Sequence, residues 1–403
     1  DDHRYLHSFP TRRSSDLRMI EDHIRMIVAS VRSYIVPDAI LLRGSFGRGE
    51  GSVYTRNGKY IFLSDYEIDV VIRTPQFRKL FRQLSQDLTA RLGVDTSLRW
   101  VRPDFLEKDR IGPFVTGSAP VTISLYESRA GSKTLWGDDL VRAGREIQPD
   151  EISPDSGIYL VLNRMAESLY LLNHSGERVN DGISEYYWVN KTILACGEAL
   201  LLLWHKYNFS YRERGIRFAE LAPEKLDFLP GNDAMLAEGF ARATRYKLQP
   251  APGLYIETVD ETWAKTMPLV ERVFQHLAQS VLGIPSEMDS EFPARLLIGL
   301  DSYGKPFTAA EKKLYKLLEL YRAARAHSLP PALFSPHLAA QMVYAVIPLV
   351  FHNRFAPEAS TLQAARQWLA KFGKLLPPAN DPTEERDDLQ KTAARCGKVF
   401  CYG

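Results

Sequence analysis

An α/β domain with a mixed sheet, followed by a mostly α-helical domain, is the fold class this chain predicts. Three observations carry it. Within the first 145 residues the hydrophobic pattern runs helix, strand, strand, helix, strand, strand, switching between periods of 3.6 and 2. After Gly137 the pattern is helical almost throughout, with little of strand period. The length, 403 residues, allows two or three domains at roughly 150 residues each.

The elements follow in order. Met19, Ile20, Ile24, Ile27, Val28 and Val31 recur at helical spacing, and that helix stops before Pro37. Ala39 to Leu42 is a short apolar strand ending at Gly44, and Asn57-Gly58 marks a hairpin leading to a second strand, Tyr66 to Ile72. Residues 75–92 read as an amphipathic helix, and Val94 to Val101 and Val121 to Tyr126 as two more strands, after which Trp136-Gly137-Asp138 closes the domain as a turn. Beyond it Ile158, Val161, Leu162, Met165, Leu169 and Leu172 lie on one helical face, and Tyr186 to Tyr207 is a second long helix. Further helices are expected over 215–222, 233–246, 258–282, 308–327, 336–351 and 359–374, with Gly283 to Pro293 as an inner linker. The expected division is 18–147, 148–284 and 285–403, the middle segment completing the cleft of the first. Ser8 to Leu17, SFPTRRSSDL, reads as the translation of a sequencing-library adaptor, so residues 1–17 carry no fold information and the lack of a signal peptide has little weight.

Composition excludes several classes. The balance of 51 basic and 49 acidic residues gives a formal charge of +2, so no global positive field recommends nucleic acid or an anionic membrane as partner. An anionic ligand must therefore be held locally. The apolar runs Ile193 to Trp204, interrupted by Glu198, and Val343 to Phe351, interrupted by Pro348, fall short of the roughly 18–20 residues of a spanning helix and are expected to be buried. The three cysteines, Cys196, Cys396 and Cys401, suit neither a disulfide framework nor a four-ligand zinc site, which fits a reducing cytoplasm.

The chemistry concentrates in GSFGRGEG, Gly44 to Gly51, directly after the first strand, and SDYEIDVVI, Ser64 to Ile72. A strand that ends in Gly-Ser exposes backbone N–H groups and a hydroxyl, and Arg48 adds a guanidinium suited to phosphate. On a strand alternate side chains share a face, so Asp65, Glu67 and Asp69 project together. Three carboxylates on one face repel unless cations lie between them, and hard oxygen ligands of this kind suit Mg²⁺ held jointly with substrate phosphates. A phosphate turn beside metal carboxylates implies phosphoryl or nucleotidyl transfer.

With these residues the chain resembles the DNA polymerase beta-like nucleotidyltransferase superfamily, nearest its kanamycin nucleotidyltransferase-like group. There a Gly-Ser-x-Gly-Arg turn precedes an acidic pair that follows a serine, as Gly44, Ser45, Gly47 and Arg48 and then Ser64, Asp65 and Glu67 do here. The resemblance covers roughly residues 20–145 and implies an α/β nucleotidyltransferase domain followed by helices. It implies that Gly44, Ser45 and Arg48 hold the phosphates of an NTP, with ATP the favoured one, and that Asp65 and Glu67 bind catalytic Mg²⁺, with two ions bridging carboxylates and the α-phosphate. The Ser45 to Asp65 interval is longer than in most relatives, which the Asn57-Gly58 hairpin explains. The register also admits Glu67 with Asp69 as the pair, so Asp69 is either paired with a cation or a further metal ligand. A third carboxylate is expected on a neighbouring strand, to share the metals or to deprotonate the attacking hydroxyl: Asp95, with Glu127 as runner-up.

The resulting expectation is a cytoplasmic enzyme that moves a nucleoside monophosphate to a hydroxyl and releases pyrophosphate. The favoured acceptor is a small molecule such as a sugar or aminoglycoside; a protein or RNA acceptor and an inactive nucleotide-binding module are the alternatives, and a homodimer is compatible. Elsewhere Lys191 and Glu198 share a helical face as solvated surface or a paired core charge. Tyr211, Arg212 and Arg214 read as a helix cap, Tyr186-Tyr187-Trp188 as packing, and Asn163-Arg164 as lying early in a helix near the cleft.

Overall fold

The structure is a computed structural model and describes residues 14–73, 78–103, 121–143, 145–172, 182–302, 339–355 and 358–370. The helix expected over 308–327, together with Cys396 and Cys401, lies outside those residues. The chain forms two compact units. The first holds the chain up to Ile152 together with Tyr207–Ile216 and Thr244–Leu254; the second holds Ser153–Lys206, Arg217–Ala243 and the chain from Tyr255 onward.

The first unit opens with α1 (Ser14–Tyr34) and β1 (Ala39–Arg43), followed by the single turn α2 (Gly44–Gly47). The hairpin β2 (Val53–Arg56) and β3 (Lys59–Phe62) comes next, turning on Asn57 and Gly58, whose φ values of +50° and +72° are those of the tight turn their residue types favour. Then come β4 (Tyr66–Val71), α3 (Arg78–Leu92), β5 (Thr96–Val101), α4 (Ile123–Gly131), β6 (Lys133–Gly137) and the short α5 (Leu140–Ala143). The main sheet has the order β5-β4-β1-β6; β4 and β5 run parallel and the other pairs antiparallel, so the sheet is mixed. One face is the core: Tyr66, Ile68 and Val70 of β4 and Ile40 and Leu42 of β1 pack with Ile20, Ile27 and Val31 of α1 and Phe81, Leu84 and Leu88 of α3. By alternation along β4, Glu67 and Asp69 lie on the opposite face. There Ala39, Leu41, Val71 and Val101 form a smaller apolar cluster with Leu140 and Val141.

Two expectations fail in this unit. Val121 to Tyr126 is not a strand: Thr122 caps α4, its hydroxyl accepting from the Leu125 N–H at 3.2 Å. The alternation V-T-I-S-L imitates a strand, but the threonine cap at the third residue before Leu125 starts a helix whose buried residues, Leu125, Tyr126, Ser128 and Arg129, follow helical spacing. Trp136 and Gly137, expected as a turn, instead end β6, which pairs with β1 as an edge strand.

The second unit is helical. It contains α6 (Asp155–Leu172), α7 (Tyr187–Leu203), most of α8 (Tyr211–Lys225) and α9 (Asp233–Leu248), and α10 (Val259–Leu282), α11 (Phe292–Ser302), α12 (Ala339–Phe355) and α13 (Ala359–Ala370). Ile158, Val161, Leu162, Met165 and Leu169, the stripe visible in the sequence, are buried on α6. A capping box between Thr258 and Glu261 starts α10, and Gly283 at φ +68° ends it. The linker expected over Gly283 to Pro293 runs into α11, because Pro293 stands in the first turn of a helix, where proline is tolerated, and not as a breaker. Tyr186, expected with Tyr187 and Trp188 to pack between domains, packs within this unit, its ring stacked on Tyr255 with centroids 4.1 Å apart. Asn163 accepts from the Tyr344 hydroxyl of α12, and Arg164 pairs with Glu167 one turn on along α6 itself. Among the described residues no helix is long and apolar enough to cross a membrane.

Candidate functional site

The candidate site lies where β1 hands over to α2. Antiparallel pairing of β1 with β4 sets Arg43 opposite Glu67, so the residues just after β1 meet the start of β4 by register alone. Gly44 has φ +61°, and a Cβ built there would stand 2.1 Å from Glu67 Oε1, so the carboxylate lies directly against the backbone of the turn. Gly47 faces the Leu42 and Gly131 carbonyl oxygens, at 2.5 and 2.9 Å from an added Cβ, which packs the turn against α4. Ser45 is half-buried, and its carbonyl accepts from the Glu50 N–H at 2.8 Å.

The predicted carboxylates divide by environment. Asp65 is exposed and Glu67 half-buried, and neither has a hydrogen-bond partner among the described residues. Burial raises the Glu67 pKa, and the Asp65 charge adds to the rise, while Arg43 and Arg48 oppose it without cancelling it. The charged form of Glu67 is therefore disfavoured, chiefly because burial strips its solvent. Asp95 is exposed immediately before β5, and its carbonyl accepts from the Tyr66 N–H at 2.8 Å. Ser97, two residues on, is the register partner of Glu67, so Asp95 belongs by alternation to the face of Asp65 and Glu67.

Asp69 is 1% exposed. Arg99 grips it with two bonds, Nε to Oδ1 at 2.8 Å and Nη2 to Oδ2 at 2.9 Å, and Arg43 Nε stands 3.3 Å from Oδ2. Of the two roles left open for it, the structure places it in the ion pair. Arg43 also donates to Ser124 on α4 at 3.3 Å.

Arg48 is sunk, with 4% of its side chain exposed, and Nη1 donates to Glu127 Oε2 at 2.9 Å. The other Glu127 oxygen accepts from the Tyr207 hydroxyl at 2.8 Å and from Arg214 Nη2 at 3.2 Å, while Arg214 Nη1 donates to the Tyr207 oxygen at 2.9 Å. Burial alone would push the Glu127 pKa up, but Arg48, Arg214 and Tyr207 together hold it below its usual value. A carboxylate so engaged is a poor proton acceptor, which argues against Glu127 as the base. Arg48 Nε is buried with no hydrogen-bond partner among the described residues.

Residues absent from the predicted set complete the surroundings. Glu50, inside the Gly-rich motif, accepts from the Ser210 hydroxyl at 2.7 Å and from the Tyr211 and Arg212 N–H groups at 2.8 and 3.2 Å, stapling the start of α8. Ser64 accepts from the Ser52 N–H at 2.8 Å and from Lys247 Nζ at 3.0 Å. Only the acid of GSFGRGEG could have signalled Glu50; nothing near Lys247 in the sequence marks it.

Among the described residues no three His, Cys, Asp or Glu side chains group to hold a metal ion. Asp65 and Glu67 nevertheless fit Mg²⁺ as a two-carboxylate site, since both offer hard oxygen donors and neither carboxylate has a hydrogen-bond partner among the described residues. Comparison with family models, with curated proteins and with solved structures returns no match.

Proposed function

We propose that the protein is a Mg²⁺-dependent nucleotidyltransferase that moves a nucleoside monophosphate from an NTP to a hydroxyl acceptor. One observation carries the reading: Glu67 Oε1 rests against Gly44, so the acidic strand and the Gly-Ser turn meet at one point. Ser45 and the backbone of the turn would bind phosphate oxygens, and Arg48, held by Glu127, would fix the turn's shape and charge. Asp65 and Glu67 would hold Mg²⁺, which supplies neutralisation of charge at the attacked phosphate. Asp95 would take the proton of the acceptor hydroxyl as its oxygen bonds to the α-phosphorus, the bond to the β-phosphate oxygen breaks, and pyrophosphate departs. Positioning and electrostatics would supply most of the acceleration, so a charge-removing change at Glu67 is expected to cost far more than one at the surface.

A second reading is a module that binds nucleotide without turnover. Incubation with Mg²⁺ and each NTP in the presence of candidate acceptors separates the two. Pyrophosphate release is expected, reduced at least about 100-fold in Glu67→Gln; tight NTP binding with no release, under every acceptor tried, supports the module.

A further inference from the structure

We propose that Asp69 is a positioning residue: by claiming the guanidinium of Arg43 it keeps that cation off Glu67 and leaves the Glu67 carboxylate open to a divalent ion. The proposal rests on the reading of Asp65 and Glu67 as a Mg²⁺ site and deepens it. Arg43, the last residue of β1, faces Glu67 directly in the antiparallel register, while Asp69 is its diagonal neighbour two residues further along β4. Side chains directly opposite stand about 4.5–5.5 Å apart at Cβ and diagonal ones about 7–8 Å, so an arginine facing a glutamate would ordinarily pair with it. Here it does not. Among the described residues no hydrogen bond or ion pair reaches the Glu67 carboxylate. The guanidinium crosses instead to Asp69, with Nε 3.3 Å from Oδ2 and Nη1 3.5 Å from Oδ1.

Burial decides the competition. Asp69 is 1% exposed, and a carboxylate that deep is costly without cations beside it, whereas the half-buried Glu67 can turn to solvent. Arg99, the register partner of Asp69 on β5, supplies the first cation through its bonds of 2.8 and 2.9 Å. Arg43 supplies the second. It is the one charged side chain of β1, and Ser124 of α4 steadies it by accepting from Nη2 at 3.3 Å. With 13% of the side chain exposed, the guanidinium has little room to swing back. The carboxylates of β4 therefore have different tasks. Asp69, inside, holds the protein's own cations, and Glu67, nearer the start of the strand, is left for one from solution.

The test is equilibrium binding of Mn²⁺, a paramagnetic stand-in for Mg²⁺ with the same preference for oxygen ligands, to the full chain without nucleotide. Electron paramagnetic resonance reads the free ion, a melting curve accompanies every variant, and Glu67→Gln identifies the site. Asp69→Asn releases Arg43 and is expected to weaken Mn²⁺ binding at least about tenfold. Asp69→Asn/Arg43→Gln is expected to bind within about threefold of the unaltered protein, even with a lowered melting temperature. Asp69→Asn/Arg99→Gln has the same net charge but keeps Arg43, and is expected to stay weak. Recovery through Arg43→Gln alone supports the proposal, and every other pattern overturns it. Recovery in both double variants would trace the loss to net charge, and recovery in neither would make Asp69 a metal ligand or a merely structural residue. Unchanged binding in Asp69→Asn overturns it too. Should Asp69→Asn not fold, Arg43→Gln alone decides, since Asp69 then keeps both Arg99 bonds. Binding tightened about two- to fivefold is expected there, and unchanged or weakened binding overturns the proposal. An unaltered chain that binds no Mn²⁺, or binds it equally well as Glu67→Gln, removes the Mg²⁺-site reading itself and the proposal with it.

Discussion

A methyl group at position 44 would stand 2.1 Å from Glu67 Oε1, on a backbone whose φ of +61° L residues avoid. Gly58 has a similar φ, +72°, but nothing within 4 Å of an added Cβ. The two glycines therefore separate backbone strain from displacement of the carboxylate. Gly58→Ala is expected to cost about 1 kcal/mol of stability and to leave Mg²⁺-dependent pyrophosphate release intact. Gly44→Ala carries the same strain and must also push Glu67 aside, for about 1–3 kcal/mol, with release lost. Melting curves and turnover of the pair decide it; equal turnover in both would detach Glu67 from the turn's role. At this scale much was legible, because a glycine-serine turn after a strand and acids at period 2 are local signals. The partners of those residues were not. Arg48 finds Glu127 at a separation of 79 residues and Asp69 is neutralised by Arg99 at 30, and no local pattern in a single sequence encodes such pairings.

At the scale of elements, legibility followed the strength of the terminating signals. The Asn57-Gly58 hairpin is written in adjacent residues and forms where expected, and the helix expected over 258–282 is α10, started by a Thr258 to Glu261 capping box. The α4 segment reads as a strand because its few apolar residues satisfy periods of 2 and 3.6 alike, and only the Thr122 cap distinguishes them. An edge strand such as β6, half-buried and short, carries little alternation to find. One joint between helices has a pH signature that a sequence could not foretell. His352 of α12 sets Nδ1 2.8 Å from Glu271 Oε1 of α10. The hydrogen bond to Glu271 raises the imidazole pKa above its ordinary value of 6.5, against a smaller opposing effect of burial. A raised value means that the folded protein binds this proton more tightly than the unfolded chain. The stabilisation is then complete below about pH 6.5 and fades as pH climbs through the higher folded value. His352→Gln should therefore lower thermal stability at pH 5.5 by about 1 kcal/mol more than at pH 8.5. A difference between the two proteins that stays constant across that range would dissociate the pair from stability.

At the scale of the molecule, the first compact unit is not a continuous stretch of chain. It takes in Tyr207–Ile216 and Thr244–Leu254, and these short returns supply Tyr207, Ser210, Arg214 and Lys247 to the surroundings of the Gly-rich turn. The sequence placed a boundary near residue 147 by the change from mixed to helical pattern, which cannot reveal a later segment folding back across 160 to 183 residues. The consequence is physical. Without the returns Glu127 would lose two of its three donors, Glu50 would lose the helix start it caps, and Arg48 would keep a carboxylate facing water. Breaking into a buried charge network typically costs about 3–5 kcal/mol, a large share of what a domain of this size has in hand. A fragment ending at Ile152 should consequently melt at least about 10 °C below the full chain, or without a cooperative transition, and should bind ATP at least about tenfold more weakly. Calorimetry and ATP titration of the fragment against the full chain measure both. A fragment that melts cooperatively at the same temperature and binds ATP with undiminished affinity would mean that the returning segments decorate the site and do not build it.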